Sequence, residues 1–112
     1  MNITDNVIAI IPARKGSKTL ADKNVIDLKN HPVLAYSIAA AKLSLRISRV
    51  LVSTNSRKYS EIASHYGAEV PFLRPEEYST SISTDREFLI HAMKFLEQEE
   101  GSVPEYWVHL RP

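Results

Sequence analysis

The chain has 112 residues, 44% of them hydrophobic and 24% charged, and a formal net charge of +1 at pH 7. This length allows one domain with a modest core, and the composition is that of an ordinary globular protein. So small a net charge disfavours binding to nucleic acid or to an acidic membrane through an overall positive field. The absence of cysteine excludes disulfides and thiolate metal sites and fits a reducing compartment.

The first predicted element is a strand over Val7 to Ile11. This continuous apolar run is typical of a strand buried on both faces of a parallel sheet. Residues 1–6 lack a basic stretch, and the run is too short for a signal peptide or a membrane span. We therefore expect a cytoplasmic protein with no membrane attachment.

A cationic loop follows this strand, with the sequence RKGSKTLADKN over residues 14–24. The loop has four cations, Arg14, Lys15, Lys18 and Lys23, and a single acid, Asp22. The cations could be buried unpaired only at a large desolvation cost. The loop suits a polyphosphate, because several donors would converge on one group while Gly16 lets the backbone approach closely. With only three glycines, the chain fits neither a Walker A loop nor a dinucleotide fingerprint. The alternative is a solvated basic loop.

The remaining elements alternate between helix and strand. Pro32 is predicted as the first residue of a helix with a buried stripe of Leu34, Ile38, Ala41 and Leu45. A strand within Arg49 to Thr54 precedes a second helix, capped by Asn55-Ser56 and ending at Gly67. An extended piece, Glu69 to Leu73, leads to a third helix that begins with the capping-box pattern of residues 84–87. The last strand is predicted after Pro104, over Tyr106 to Leu110.

This order predicts an α/β fold with a mostly parallel sheet covered on both faces. In such sheets ligands bind outside the carboxyl ends of the strands. We therefore expect the cationic loop, Thr54-Asn55 and Arg111 to meet at one crevice.

Several blocks, in this order, resemble the acylneuraminate cytidylyltransferases, also called CMP-sialic acid synthetases. They are residues 11–18 with Lys23-Asn24, Pro32-Val33-Leu34, Val52-Ser53-Thr54, residues 66–75 and His91-Ala92. The resemblance implies a Rossmann-like three-layer α/β/α fold of the nucleotide-diphospho-sugar transferase type. Residues 1–112 would be the nucleotide-binding, N-terminal part of a single cytidylyltransferase domain, with about another half of the enzyme following.

The resemblance also implies a reaction, in which a hydroxyl of an acidic nine-carbon sugar attacks the α-phosphate of CTP to give a CMP-sugar and pyrophosphate. Arg14 and Lys23 are the expected catalytic residues. The expected nucleotide contacts are Arg14, Gly16, Ser17, Lys18, Lys23, Asn24, Arg74 and Ser83. The alternatives are a surface position for Arg74, fixed before Pro75, and a helix-capping role for Ser83.

Arg111 stands where many family members have glutamine, and we expect it to pair with the sugar carboxylate. The sugar therefore stays open among sialic, legionaminic and pseudaminic acids. Mg²⁺ is the expected cofactor, with its ligands in the half of the enzyme that would follow, so no metal ligand is assigned here. The four histidines lack metal-site spacing and are expected in packing or at the surface. A homodimer is implied for the full-length enzyme.

Two other functions stay open. A CMP-Kdo synthetase has the same type of loop, but usually has arginine at the position of Lys18 and Lys-Pro at Lys23-Asn24. A non-catalytic nucleotide-binding half-domain is the other alternative. Without the half of the family enzyme that would follow, we expect the isolated chain to self-associate or to be poorly soluble, because sheet edge and apolar helix surface would be exposed. A nucleic-acid-binding domain is disfavoured, since the basic residues are confined to one loop without interleaved aromatic residues.

Overall fold

The computed structural model of the chain describes residues 2–13, 27–75 and 85–110. In chain order the elements are β1 (Asn2–Pro12), β2 (Asp27–Leu28), β3 (His31–Pro32), α1 (Val33–Leu43), β4 (Arg49–Ser53), α2 (Arg57–His65), α3 (Asp85–Glu100) and β5 (Ser102–His109). None of the helices in these ranges combines the length and apolar character needed to cross a bilayer.

The main sheet has the strand order β4-β1-β5 in the described ranges, and both neighbours run parallel to β1. Ile10 pairs with Leu51 on one side and with His109 on the other. Beyond β4, Glu69 forms a single parallel bridge with Leu51. The predicted parallel sheet is confirmed.

The two faces of this sheet carry separate hydrophobic clusters, because side chains alternate along each strand. On one face Ala9, Ile11, Val50 and Val52 pack with the buried residues of α1 and α2, which include Ile38 and Tyr59. On the other face Ile8, Ile10 and Leu51 pack with Phe88, Ala92 and Leu96 of α3. The fold is thus the predicted three-layer α/β/α arrangement.

The second and third helices agree with their sequence signals. Ser56 caps α2 by accepting a hydrogen bond from the Tyr59 backbone N–H at 3.2 Å. Past the end of this helix Gly67 has φ +92°, a conformation that favours glycine. Helix α3 begins at Asp85, and Thr84, the predicted cap, lies outside the described residues.

Two details predicted for α1 are wrong. Pro32 is the N-cap, with extended backbone at φ −64° and ψ 148°, and Val33 is the first helical residue. The helix ends at Leu43 because Ser44 adopts an extended conformation, so Leu45 lies past the end and is 103% exposed. Leu45 is therefore not part of the buried stripe.

The first and last strands of the sheet are longer than the apolar patterns predicted. Pairs such as Asn2↔Ser102 and Ile3↔Val103 extend β1 and β5 towards their amino ends, with a register shift between Thr4 and Val7. Pro104 lies inside β5 rather than before it, a position that a strand at the edge of the described sheet allows because no donor is needed on the open side. The strand ends at His109, one residue before the predicted end.

A short hairpin before α1 was not predicted. Strands β2 and β3 pair antiparallel around Lys29 and Asn30, which have φ 53° and 74°. Two positive φ values in succession are the geometry of a type I′ turn, which asparagine tolerates well. The sequence lacks the Asn-Gly signal that usually marks such a turn, so pattern analysis missed it.

Candidate functional site

The carboxyl ends of three parallel strands lie at one edge of the sheet, as predicted. At this edge the Ala13 N–H donates to the Ser53 carbonyl at 2.9 Å, and the Leu110 N–H donates to the Ile10 carbonyl at 3.2 Å. The backbone is therefore hydrogen-bonded past the end of β1 and of β5. These hydrogen bonds hold Ala13 and Leu110, the first residues past β1 and β5, in place.

The segment after β4 is polar but buried. Ser53 and Thr54 are both 0% exposed. Thr54 accepts hydrogen bonds at its hydroxyl, from the Ser56 N–H at 3.1 Å, and at its carbonyl, from the Arg74 N–H at 2.7 Å. These bonds satisfy polar groups that would otherwise be costly to bury, and they hold the chain around Arg74 against the end of β4.

Arg74 is the one predicted site residue that falls within the described residues, and it is only 6% exposed. Its Nε donates to Ser53 Oγ at 3.0 Å and its Nη2 donates to the Ser53 carbonyl at 2.8 Å. The guanidinium carbon lies 5.2 Å from the centroid of the Phe88 ring, in a cation–π arrangement. The alternative of a surface position is therefore wrong. Nucleotide binding by Arg74 stays a prediction.

His109, the last residue of β5, also contacts Phe88. The two ring centroids are 5.2 Å apart with an interplanar angle of 69°. His109 Nε2 is buried, and no hydrogen-bond partner for it is found within residues 2–13, 27–75 and 85–110. The expectation that His109 serves packing describes its contact with Phe88 but leaves this nitrogen unexplained.

The other predicted site residues lie outside the described residues. They are Arg14, Gly16, Ser17, Lys18, Lys23, Asn24, Ser83 and Arg111. The structure describes Ala13, one residue past the end of β1 and directly before the cationic loop, and then Asp27, the first residue of β2. The roles assigned to the eight residues stay predictions.

The described part of the chain offers no cluster of three or more histidine, aspartate or glutamate side chains able to hold a metal ion.

Comparison with known proteins decides the family. The cytidylyltransferase family profile matches residues 8–103. The chain belongs to the cytidylyltransferase family. This confirms the family that the sequence blocks predicted.

Among cytidylyltransferases, the chain is 46% identical to the N-acylneuraminate cytidylyltransferase of Escherichia coli O18:K1:H7 over 85% of its length, and spans 22% of that protein. It is 43% identical to the CMP-N,N'-diacetyllegionaminic acid synthase of Legionella pneumophila over 69% of its length, or 33% of that protein. Identity to a 3-deoxy-manno-octulosonate cytidylyltransferase of Chlorobium chlorochromatii is 42%, over 63% of the chain and 29% of that protein. The chain thus spans a third or less of each.

A solved structure has the same fold. The CMP:2-keto-3-deoxy-manno-octonic acid synthetase complexed with CTP aligns with a TM-score of 0.75 at 18% identity, covering 95% of this chain and 39% of that one. At this identity the likeness bears on the fold alone.

Sequence analysis missed Ser53, Phe88 and His109 as parts of this edge. A signal for Ser53 was present, because a serine directly after an apolar strand must lie near the carboxyl edge. No sequence signal identifies Phe88, which has the helical spacing of an ordinary core residue.

Proposed function

We propose that the protein is, or is part of, a nucleotidyltransferase that activates an acidic nine-carbon sugar with CTP. The observation that carries this proposal is the 46% identity to the N-acylneuraminate cytidylyltransferase of E. coli over 85% of the chain. A hydroxyl of the sugar acid would attack the α-phosphorus of CTP, and the bond to the bridging oxygen of the β-phosphate would break. The products are the CMP-sugar and pyrophosphate, and the hydroxyl proton is released.

Charge neutralisation is the main task of the protein in this reaction, because both substrates and the transition state are anionic. Arg14, Lys18 and Lys23 supply the positive charge, and Ser17 and the backbone around Gly16 supply further donors. Arg14 and Lys23 act at the reacting phosphate. The buried pairing of Ala13 with Ser53 supports this proposal, since it fixes the residue just before Arg14 at the edge where ligands bind.

The remaining substrate contacts are assigned by position. Arg74 and Ser83 bind the nucleotide, Asn24 lies between nucleotide and sugar, and Arg111 pairs with the sugar carboxylate. Support for Arg74 comes from its burial and its two hydrogen bonds to Ser53, which hold the side chain in one orientation. A preorganised cation loses little conformational entropy when a ligand arrives.

The proposal extends to cofactor, assembly and compartment. Mg²⁺ would supply positive charge to the phosphates of the bound triphosphate, and its protein ligands would come from outside the described residues. The full-length enzyme is a homodimer that acts in the cytoplasm, where CTP is available. Nucleic acid and membranes are not partners.

Two alternative functions remain. A CMP-Kdo synthetase is favoured by the 42% identity to the Chlorobium protein, but that match covers less of the chain than the E. coli match. Lys18 and Lys23-Asn24 also disfavour it. A non-catalytic nucleotide-binding half-domain, which would keep the cationic loop without the transfer reaction, is the other alternative.

The test is calorimetric titration of the chain with CTP, ATP, GTP and UTP in the presence of Mg²⁺. We expect CTP to bind most tightly, and Arg14→Ala to weaken it at least tenfold while the exposed-arginine control Arg57→Ala does not. Equal weak binding of all four would reduce the function to a generic polyphosphate loop. Pyrophosphate release with CTP and N-acetylneuraminic or Kdo acid then separates the two enzymes from the non-catalytic module, which releases none.

A further inference from the structure

We propose that His109 is a substrate-binding residue whose Nε2 forms a hydrogen bond with a hydroxyl or carbonyl group of the bound substrate. This inference rests on the proposed function and adds a contact from β5 that neither the sequence motifs nor the comparisons assign. It follows from the position of His109 at the end of β5, from its contact with Phe88, and from the absence of a hydrogen-bond partner for Nε2 within the described residues.

The backbone at His109 is held firmly. His109 pairs with Ile10 of the central strand, and the next residue, Leu110, donates to the Ile10 carbonyl at 3.2 Å. Because paired residues of parallel strands point to the same face, the His109 side chain lies on the α3 side of the sheet with Ile10. The imidazole is thus presented from a rigid strand end rather than from a free loop.

The ring of Phe88 joins His109 to Arg74. The centroid of the His109 ring and the guanidinium carbon of Arg74 each lie 5.2 Å from the Phe88 centroid. His109 and Arg74, the residue predicted to bind the nucleotide, therefore contact the same buried aromatic ring.

The polar groups around the Phe88 ring differ in their hydrogen-bond partners. Arg74 donates from Nε and Nη2 to Ser53, and the Ser53 carbonyl also accepts from Ala13. His109 Nε2 is buried, yet within the described ranges it contacts no donor or acceptor. A buried nitrogen left unpaired costs free energy, so such a group points to a ligand or water as its partner.

A neutral hydroxyl or carbonyl is the chemistry that fits. The nitrogen is next to an aromatic ring, where a fully charged phosphate would be poorly solvated, whereas imidazole can donate to or accept from a neutral oxygen according to its tautomer. In this reaction both the nucleoside and the sugar acid carry such groups. His109 is the last residue of β5, and the region beyond the carboxyl ends of the strands is where an open α/β sheet binds its ligand.

The experiment compares three substitutions in the full chain by calorimetry. His109→Leu removes both ring nitrogens. His109→Asn places an amide near the position of Nδ1 and leaves no polar atom at the position of Nε2. His109→Gln places an amide near the position of Nε2. The first titrant is CTP with Mg²⁺, and the second is N-acetylneuraminic acid added to the CTP-saturated protein. His65→Leu, at an exposed histidine of α2, is the matched control, and thermal unfolding of each variant monitors the fold.

We expect His109→Leu and His109→Asn to weaken binding about 5- to 10-fold, the effect of one hydrogen bond, and His109→Gln to stay within about 2-fold of the unmodified chain. Weakening of CTP assigns the bond to the nucleoside, and weakening confined to the second titrant assigns it to the sugar acid. Unchanged binding of both titrants by His109→Leu overturns this inference and leaves the proposed function unaffected. Equal losses in the leucine and glutamine variants also overturn it, because packing rather than Nε2 would then matter. If the unmodified chain binds no CTP, the proposed function fails and this inference falls with it.

Discussion

Arg74 donates two hydrogen bonds to Ser53, from Nε to the hydroxyl at 3.0 Å and from Nη2 to the carbonyl at 2.8 Å. The same carbonyl accepts from the Ala13 N–H at 2.9 Å, so both of its lone pairs are used. One residue of β4 therefore connects the end of β1, where the cationic loop begins, to the buried guanidinium. These hydrogen bonds hold the ends of β1 and β4 and the Arg74 side chain together.

We expect Arg74→Lys to lower the free energy of unfolding by about 1–3 kcal/mol, because lysine cannot reproduce the planar fork that bonds both Ser53 oxygens. Urea denaturation measures the change, and CTP titration should show weaker binding in the same variant. Arg57→Lys, at an exposed arginine of α2, should change stability by less than about 0.5 kcal/mol. Equal stability of the two variants would mean that the Ser53 pair contributes little.

A second prediction concerns Arg49, which bonds two carboxylates near the amino end of β4. It lies 2.8 Å from Glu69 Oε1 and 2.7 Å from Glu100 Oε1. The hydrogen bond from Arg49 lowers the pKa of Glu100, while the two carboxylates, Glu69 first, raise the pKa of Arg49 above its usual range. The stabilisation from Glu100 is thus fully present above its unfolded pKa of about 4.3 and is lost as the pH falls through the lower folded value.

Arg49→Met should therefore reduce the free energy of unfolding most near neutral pH, by about 1 kcal/mol because both carboxylates are partly exposed to solvent. The difference from the unmodified chain should shrink below about pH 4, where Glu100 is protonated in the unfolded state and becomes so in the folded state. Denaturation curves across this range measure it. Arg46→Met, at an exposed arginine, should show no such dependence on pH, and a constant difference for Arg49→Met would contradict the prediction.

The third prediction separates backbone strain from crowding at two glycines. Gly67 has φ +92°, and an added Cβ would lie 3.0 Å from Lys42 Nζ; Gly101 has φ +74° and nothing within 4 Å. Alanine at either site should cost about 1 kcal/mol through the positive φ. Because the Lys42 side chain can move, Gly67→Ala should cost at most a few tenths more. A much larger cost, relieved by adding Lys42→Ala, would show that the Lys42 side chain cannot give way.

The fourth prediction is self-association of the isolated chain. Trp107 is 46% exposed, Tyr106 62% and Ile90 40%, and β5 has no strand beyond it within the described ranges. Sedimentation velocity should show association that rises with concentration. Trp107→Lys combined with Ile90→Lys should reduce it, whereas Leu45→Lys, at a fully exposed position past the end of α1, should not. A clean monomer at all concentrations would contradict the prediction.

Much of the fold was predictable because its signals are local. The apolar run at Val7 to Ile11, the cap at Ser56 and the glycine at residue 67 each act within a few residues, and each was found where expected. The wrong predictions concern the lengths of elements, which depend on strand pairing and on where a helix ends. Residues 2–4 and 102–104 lie in strands because they pair with each other, and Leu45 is exposed because its helix ends two residues earlier.

By itself, the sequence determined the order of the elements, the parallel α/β class and the family, since periodicity, caps and motif blocks are properties of neighbouring residues. Only the tertiary structure decided that Arg74 is buried against Ser53 and that Phe88 contacts both Arg74 and His109. These residues are far apart in the chain, and the strand order β4-β1-β5 with α3 on one face brings them together. Contacts of this kind depend on how elements pack, which no local pattern encodes.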